Sequence, residues 1–234
     1  MINDKKVLAI TLARGGSVGI PKKNIIDICG KPLLQYTTDE VKKSKYIDKY
    51  VVSTDDNDIK MFCDNKQVEY YNRSCEFAQS TSKSSDALIE VVKYVDGDFD
   101  YIVEIMCTNP LKTIDDIDGC IEKLNSTDTD SVVSVVRIWD HHPSRVKYIE
   151  GGFLKDFYPE VSESRRQDLY PPAYVRNGSI YATSVDILLK SKVRLSGVVM
   201  PYIMAEDRTI NIDEPIDLEC AKIMLERKYV NEKS

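Results

Sequence analysis

The segment Leu12-Ala13-Arg14-Gly15-Gly16-Ser17-Val18-Gly19-Ile20-Pro21-Lys22-Lys23-Asn24 concentrates glycine and fixed positive charge. Glycines 15, 16 and 19 let backbone N–H groups turn toward an anion, and Arg14 and Lys23 supply charge around it. A phosphate chain is the natural ligand. A plain glycine turn with solvated cations has the same composition, so the loop by itself leaves both readings open. No acid lies between Arg14 and Asp27, and Lys31 extends the basic cluster. The chain has neither GxxxxGK[ST] nor GxGxxG, which disfavours a P-loop and a dinucleotide fingerprint.

The elements that must hold this loop alternate between strands and helices. Val7 to Ala13 reads as a buried strand that ends at the glycines, and Pro32 to about Lys45 as a helix with proline in its first turn. Strands follow at Tyr50 to Ser53, Val68 to Tyr71 and Tyr101 to Met106. Between them lie helices at Asn57 to Lys66, capped within Thr54-Asp55-Asp56, and from Ser84-Ser85-Asp86 through Val95, with Leu88, Val91, Val92 and Val95 on one face. A further helix spans Asp115 to Leu124, starting near Thr113. This alternation predicts a mainly parallel sheet wrapped by helices, with ligands beyond the carboxyl ends of the strands, where Arg14 sits. In the second half, Ser131 to Arg137, Val146 to Ile149, Gly178 to Thr183 and Gly197 to Tyr202 read as strands. Val185 to Leu189 and Ile216 to about Lys228 read as helices, the last introduced by Asp213-Glu214-Pro215. Gly151 to Pro172 is polar, irregular and proline-punctuated, as in a lid or an arm that reaches a partner. The expectation is one domain over 1–234 with an arm at about 138–177.

Composition narrows the function classes. The chain has 234 residues, with 32 Lys and Arg against 38 Asp and Glu, for a net charge of −6. That disfavours a generally basic nucleic-acid surface. The apolar run Val7 to Ala13 is too short to span a bilayer and no secretory cleavage pattern follows it, which predicts a cytoplasmic protein without membrane partners. The cysteines at 29, 63, 75, 107, 120 and 220 form no CxxC pair and are expected to be buried free thiols rather than a zinc site or disulfides. His141 and His142 are adjacent and are the only histidines, leaving little material for histidine-centred chemistry.

LARGGSVGIPKKN resembles the nucleotide-binding signature of the N-acylneuraminate cytidylyltransferase (CMP-sialic acid synthetase) family. The resemblance continues in family order as GKPLLQYT, VSTDD, NPLKT, HHPSR, RQDL, RNGSIY and INIDEPIDLE. It implies an α/β, Rossmann-like three-layer nucleotidyltransferase with a mainly parallel sheet and an inserted dimerisation arm. It also implies a reaction: CMP transfer from CTP to the anomeric hydroxyl of an acidic nine-carbon sugar, with pyrophosphate released. The alternatives are the same transfer to another 3-deoxy sugar acid such as Kdo, and a catalytically weak nucleotide-binding protein.

By this resemblance Leu12, Ala13, Arg14, Gly15, Lys23 and Asn24 hold the nucleotide, with Arg14 and Lys23 on its phosphates. Arg73 and Ser82 to Ser84 meet the nucleotide next, a serine lying near the cytosine edge; Ser84 is equally a helix cap. Ser80 stands where relatives often carry Asp. Ile210-Asn211-Ile212-Asp213 is similar to the family's IDID motif. Alternate residues of an extended segment face one side, so Asn211 and Asp213 converge on one Mg²⁺, with a negative charge fewer than usual; Asp213 could instead cap the final helix. Arg145, Arg166, Gln167, Asn177 and Tyr181 match positions facing the sugar acid, and Arg165 or Arg166 offers a fork for its carboxylate. A solvated arm with Glu163 and Asp168 as local partners is the alternative. Met106 replaces a substrate-facing glutamine, which predicts a sugar with fewer hydroxyls or a different acyl group. The family implies a homodimer in which the arm completes the neighbouring site.

Overall fold

The computed structural model describes residues 1–17, 19–79, 81–126, 128–158 and 165–231. Val18, Ser80 and Glu163, which entered the sequence argument, lie outside the described residues. Among the described residues eleven strands run in chain order: β1 Val7–Leu12, β2 Asp27–Ile28, β3 Lys31–Pro32, β4 Lys49–Thr54, β5 Glu69–Asn72, β6 Tyr101–Ile105, β7 Ser131–Ile138, β8 Lys147–Glu150, β9 Phe153–Asp156, β10 Ala173–Ser184 and β11 Val199–Ile203. The α-helices are α1 Leu33–Val41, α2 Asn57–Lys66, α3 Ser84–Tyr94, α4 Ile114–Ser126, α5 Val185–Ser191 and α6 Pro215–Asn231.

Seven strands form the main sheet in the order β11-β7-β10-β6-β1-β4-β5. All neighbours are parallel except β10, which runs antiparallel to both β6 and β7. Alternation along β1 splits the sheet into two buried faces, as strands covered on both sides require. Val7 and Ala9 pack with Ile117, Ile121 and Leu124 of α4 on one side. Leu8 and Ile10 pack with Leu88 and Val91 of α3 and Leu188 of α5 on the other. Helix α6 returns to close the end of the molecule, where Leu218, Ala221 and Leu225 meet Leu33 and Ile212.

Several local expectations are corrected. α1 stops at Val41 rather than running to Lys45, because Ser44 Oγ accepts hydrogen bonds from the Tyr46 and Ile47 amides and ends the helix in a turn. Asp56 caps α2 by accepting from the Asp58 and Ile59 amides. Ser84 does not cap α3: Lys83 holds the cap position with no side-chain bond, and Ser84 is the first helical residue. Asp213 does not cap α6 either; Asp217 accepts from the Asp213 and Glu214 amides and does that work. The irregular stretch contains a strand the sequence reading missed, since Gly151 and Gly152, both at positive φ, join β8 to β9 in a hairpin. Residues 173–177 belong to β10 in the main sheet. The cysteines are free, but only Cys63, Cys107 and Cys120 are buried; Cys29, Cys75 and Cys220 are exposed. Burial pushes the Cys63 thiol up to about 12, which keeps it protonated and unreactive.

Candidate active site

The carboxyl ends of β1, β4, β5 and β6 open onto one side of the sheet, and the glycine loop leaves β1 there. Gly15 N donates to Asp55 Oδ1 at 3.0 Å, pinning the loop to the end of β4. A β-carbon on Gly15 would run into the Asp56 carboxylate, so this close approach needs glycine. A β-carbon on Gly19 would sit 2.5 Å from the Asp213 carbonyl oxygen, so the loop also packs against the segment before α6. Asn24 is buried and its amide donates to the Arg14 carbonyl at 2.8 Å, while the Cys107 thiol donates to Asn24 Oδ1. Asn24 therefore fixes the backbone from which Arg14 projects.

Three adjoining cavities lie over this edge. The first, of about 270 Å³, is lined by Leu12, Arg14, Arg73, Ser82, Ser84, Glu104 and Met106, with Phe77 and Lys83 at its sides. The second, of about 500 Å³, shares Leu12, Arg14 and Met106 with it and adds Lys23, Asn24, Asn211, Asp213 and Glu214. The third, of about 310 Å³, joins the second through Gly178 and Asn211 and is lined by Arg176, Asn177, Tyr181, Arg194 and Thr209. Arg14 thus stands between the first two spaces, and its guanidinium has no hydrogen-bond or ion-pair partner among the described residues. Ala13 is fully buried behind it.

Arg73 is 6% exposed and held rigidly: Nε donates to Ser53 Oγ at 3.0 Å and Nη2 to the Ser53 carbonyl at 2.7 Å. Burial lowers its pKa, with Asp55, Glu90 and Glu104 opposing the shift. Ser82 Oγ donates to the Glu76 carbonyl and so shapes the loop before α3. Ser84, relieved of the capping role, faces the first cavity.

The segment before α6 behaves as its alternation requires. Ile212 is fully buried and Ile210 packs beside it, while Asn211 and Asp213 meet on the other side, Asn211 Nδ2 donating to Asp213 Oδ2. Lys23 Nζ bonds the Ile212 carbonyl at 2.7 Å and Asp213 Oδ1 at 2.9 Å. Among the described residues no group of three or more His, Cys, Asp or Glu side chains is placed to hold a metal. One carboxylate and one amide oxygen are still hard donors that suit Mg²⁺, which commonly takes its other ligands from phosphate and water. The donor chemistry fits the ion, with the protein supplying a small share of the ligands.

Asn177 lies within, and Tyr181 closes, an irregularity in β10, where its register against β7 shifts between Arg176 and Tyr181. The Asn177 amide is engaged by Ser134, Thr209 and Met204, so it anchors this bulge at the wall of the third cavity. Tyr181 is 6% exposed, and the Arg194 guanidinium lies 3.6 Å from its ring centroid. Met106 packs against Tyr181, Val133 and Val135, giving the junction of the cavities an apolar floor. Arg145, Arg166 and Gln167 are exposed on the arm and line none of these cavities within one chain. Arg166 Nη1 lies 3.4 Å from Asp140 Oδ2, and Arg165 pairs with Asp168 at 2.8 Å.

Sequence reasoning missed three charged groups here. Glu104 is buried on β6, where burial pushes its carboxyl pKa up and Arg194 and Arg73 pull it down. A lone acid inside Tyr-Ile-Val-Glu-Ile was the available signal, because acids rarely occupy a doubly covered strand. Arg194, its partner, carried no such signal in a polar loop. Lys112 is 1% exposed, its Nζ 2.7 Å from the Met106 carbonyl, 2.6 Å from the Asn109 carbonyl and 2.7 Å from Thr37 Oγ1. Burial lowers its pKa to about 7. It ties down the turn carrying Met106, Cys107 and Thr108.

The chain is similar to known proteins in ways that bear on this geometry. It is 28% identical over 210 residues to an N-acylneuraminate cytidylyltransferase of Streptococcus agalactiae, covering 89% of this chain and 50% of that protein. The chain thus spans about half the length of the streptococcal relative. It is 29% identical over 225 residues to a pseudaminic acid cytidylyltransferase of Campylobacter jejuni, covering 94% of this chain and 96% of that one. In fold it is similar to a CMP:2-keto-3-deoxy-manno-octonic acid synthetase complexed with CTP, with a TM-score of 0.74 at 17% identity over 96% of this chain and 100% of that one. A 4-diphosphocytidyl-2C-methyl-D-erythritol synthase of Anaerococcus prevotii gives 0.68 at 17% identity over 95% of this chain and 99% of that one. The family model for cytidylyltransferases matches residues 8–147, from β1 and its glycine loop through β7, and the chain belongs to the cytidylyltransferase family.

Proposed function

We propose that the protein transfers CMP from CTP to the anomeric hydroxyl of a nonulosonic, sialic-type acid and releases pyrophosphate. The observation that carries this reading is Arg14 between two joined cavities, unpaired among the described residues and supported by Lys23 in the second. A nucleoside fits the first cavity, with Arg73 and Ser84 beside the base, and a triphosphate extends along the glycine loop into the second. The sugar acid enters from the third, against Asn177, Tyr181 and Met106. Names of relatives that act on neuraminic and pseudaminic acids support this substrate class.

Catalysis then rests on orientation and charge neutralisation, with no covalent enzyme intermediate required. The anomeric oxygen attacks the α-phosphorus in line as the bond to pyrophosphate breaks. Arg14 offers a planar fork to the phosphate oxygens and Lys23 a point charge, so both stabilise negative charge gathering on the leaving group. Asp213 and Asn211 would hold Mg²⁺, which when bound supplies further neutralisation of the phosphates. Lys23, now paired with Asp213, would then be available to the phosphates.

The arm supports a homodimer. β8 and β9 expose Ile149 by 76%, Phe153 by 71% and Leu154 by 69%, an apolar surface that a second copy would cover. Such a partner would bring Arg145, Arg166 and Gln167 toward a neighbouring site that they do not reach in their own chain.

The reading is tested by CTP binding and by kcat/KM for neuraminate, legionaminate, pseudaminate and Kdo. We expect Arg14→Ala to abolish CTP binding and the wild type to prefer a deoxygenated nonulosonic acid over plain neuraminate, in keeping with Met106. Retained CTP binding in Arg14→Ala would sink the phosphate assignment. A clear preference for plain neuraminate would remove the role given to Met106, and preference for Kdo would favour the alternative acid.

A further inference from the structure

A buried ion pair crosses the wall between the nucleotide cavity and the sugar cavity. Arg194 Nη1 donates to Glu104 Oε2 at 2.8 Å, with the glutamate side chain 1% and the arginine side chain 22% exposed. Glu104 and Tyr181 are register partners on β6 and β10, and the Arg194 guanidinium stacks on the Tyr181 ring. Tyr181 and Glu104 therefore hold the fork from its face and its edge. Burying such a pair in place of apolar side chains commonly gives no gain in stability, so stability is a weak reason for its presence. What it does give is a rigid guanidinium at the wall of the third cavity, facing a space whose lining, among the described residues, holds Arg176 and Arg194 but no carboxylate.

The position along the cavity decides what this guanidinium meets. Lys23 and Asp213 line the second cavity, where the proposed transfer puts the phosphates and the anomeric hydroxyl; Asn211 and Gly178 line both the second and the third. Arg194 lines the third alone. In a 2-keto-3-deoxy sugar acid the carboxylate sits on the anomeric carbon, beside the attacking oxygen, and stays near the shared mouth. The remote substituents extend inward.

We propose that Arg194, oriented by Glu104 and Tyr181, is a specificity-determining residue that donates hydrogen bonds to a neutral oxygen acceptor on the remote part of the sugar acid, an acyl carbonyl or a hydroxyl. This rests on the proposed CMP transfer and deepens its sugar site. A site built to donate a hydrogen bond discriminates against analogues lacking the acceptor more strongly than an apolar wall does. Met106 and Arg194 then read different substituents of the same sugar.

The test compares wild type, Arg194→Met and the double variant Glu104→Leu/Arg194→Met. The single variant strands a buried carboxylate and risks the fold; the double variant removes both charges together. Initial rates are measured with CTP, Mg²⁺ and paired acids that carry the remote acyl group, its free amine, or neither. The double variant should lower kcat/KM for the acid that the wild type prefers by about 10- to 100-fold, mainly through the KM of the sugar. For acids lacking the acceptor the loss should be at least about tenfold smaller, so that any effect through the nucleotide cavity that Glu104 lines, common to every acid, divides out of the comparison. Loss with the acylated acid but not the amine assigns the carbonyl; loss with both assigns a hydroxyl. An equal change for every acid would overturn the proposal and leave Arg194 as the counter-charge of Glu104. Wild-type turnover on any acid upholds CMP transfer whatever the variants do, whereas no turnover on any acid removes both readings.

Discussion

Lys112→Met should change the stability of the protein in a pH-dependent way whose sign follows from burial. Two of the Nζ partners are carbonyls and the third is the Thr37 hydroxyl, a set that satisfies a neutral amine as donor to the carbonyls and acceptor from the hydroxyl. The folded-state pKa of about 7 lies below the ordinary 10.5, so between these values the unfolded chain binds more protons than the folded one. Stability therefore rises with pH through that window, by at most about 1.4 kcal/mol per unit, and is level below it. From about pH 7 to about pH 8.5 the wild type should gain roughly 1–2 kcal/mol relative to Lys112→Met, thiol titration being common to both proteins. The variant also strands the Met106 and Asn109 carbonyls, at about 1–3 kcal/mol each, but is spared the cost of neutralising a buried lysine, so the readout is the slope with pH and not the offset. Urea denaturation of both proteins across this range checks the slope. A difference between them that does not vary with pH would mean that Lys112 stays charged in the fold, and would refute the argument.

Other expectations follow from the same contacts. Gly15→Ala should weaken CTP binding and cost about 1 kcal/mol of stability, because its β-carbon displaces the carboxylate that caps α2; calorimetry and thermal unfolding measure the two effects. Asn211→Asp adds a carboxylate beside Asp213, so half-maximal turnover should need less Mg²⁺, while without the ion the variant should melt below the wild type. A Mg²⁺ requirement that does not change would detach this residue from the metal. Ile149→Lys with Phe153→Lys should yield a monomer by sedimentation and lose turnover while retaining CTP binding; a dimer that persists would place the subunit contact elsewhere.

The order of strands and helices was legible because apolar periodicity and glycine punctuation both reported it. Val7 to Ala13 reads as a buried run, Thr54-Asp55-Asp56 as a capping stretch before Asn57, and Ile210 to Asp213 as an alternating segment, and each depends only on neighbours in sequence. What was misread depended on distant partners or on weighing one local signal over another. Ser84 and Asp213 both have the residue type of a cap, yet Lys83 holds the cap position of α3 and Asp217, inside the first turn of α6, accepts the amides before that helix, leaving the serine and the aspartate facing the cavities. The Gly151-Gly152 pair was a hairpin signal passed over because the surrounding segment is polar. For the site, Arg14 and Lys23 were suggested by loop chemistry, and Asn211 and Asp213 by a resemblance to a family motif that alternation supports; the fold brings all four to one cavity. The Glu104 and Arg194 pair spans 90 residues, so no local pattern revealed it.

The most direct test of the central claim is one phosphorus NMR time course of the protein with CTP, Mg²⁺ and a mixture of nonulosonic acids. The account predicts that a CMP-sugar phosphodiester signal and pyrophosphate appear in equal amounts, and that neither forms when the acids are left out. CTP that binds but stays intact with every acid, or that breaks down to CDP and phosphate without a phosphodiester product, would contradict it.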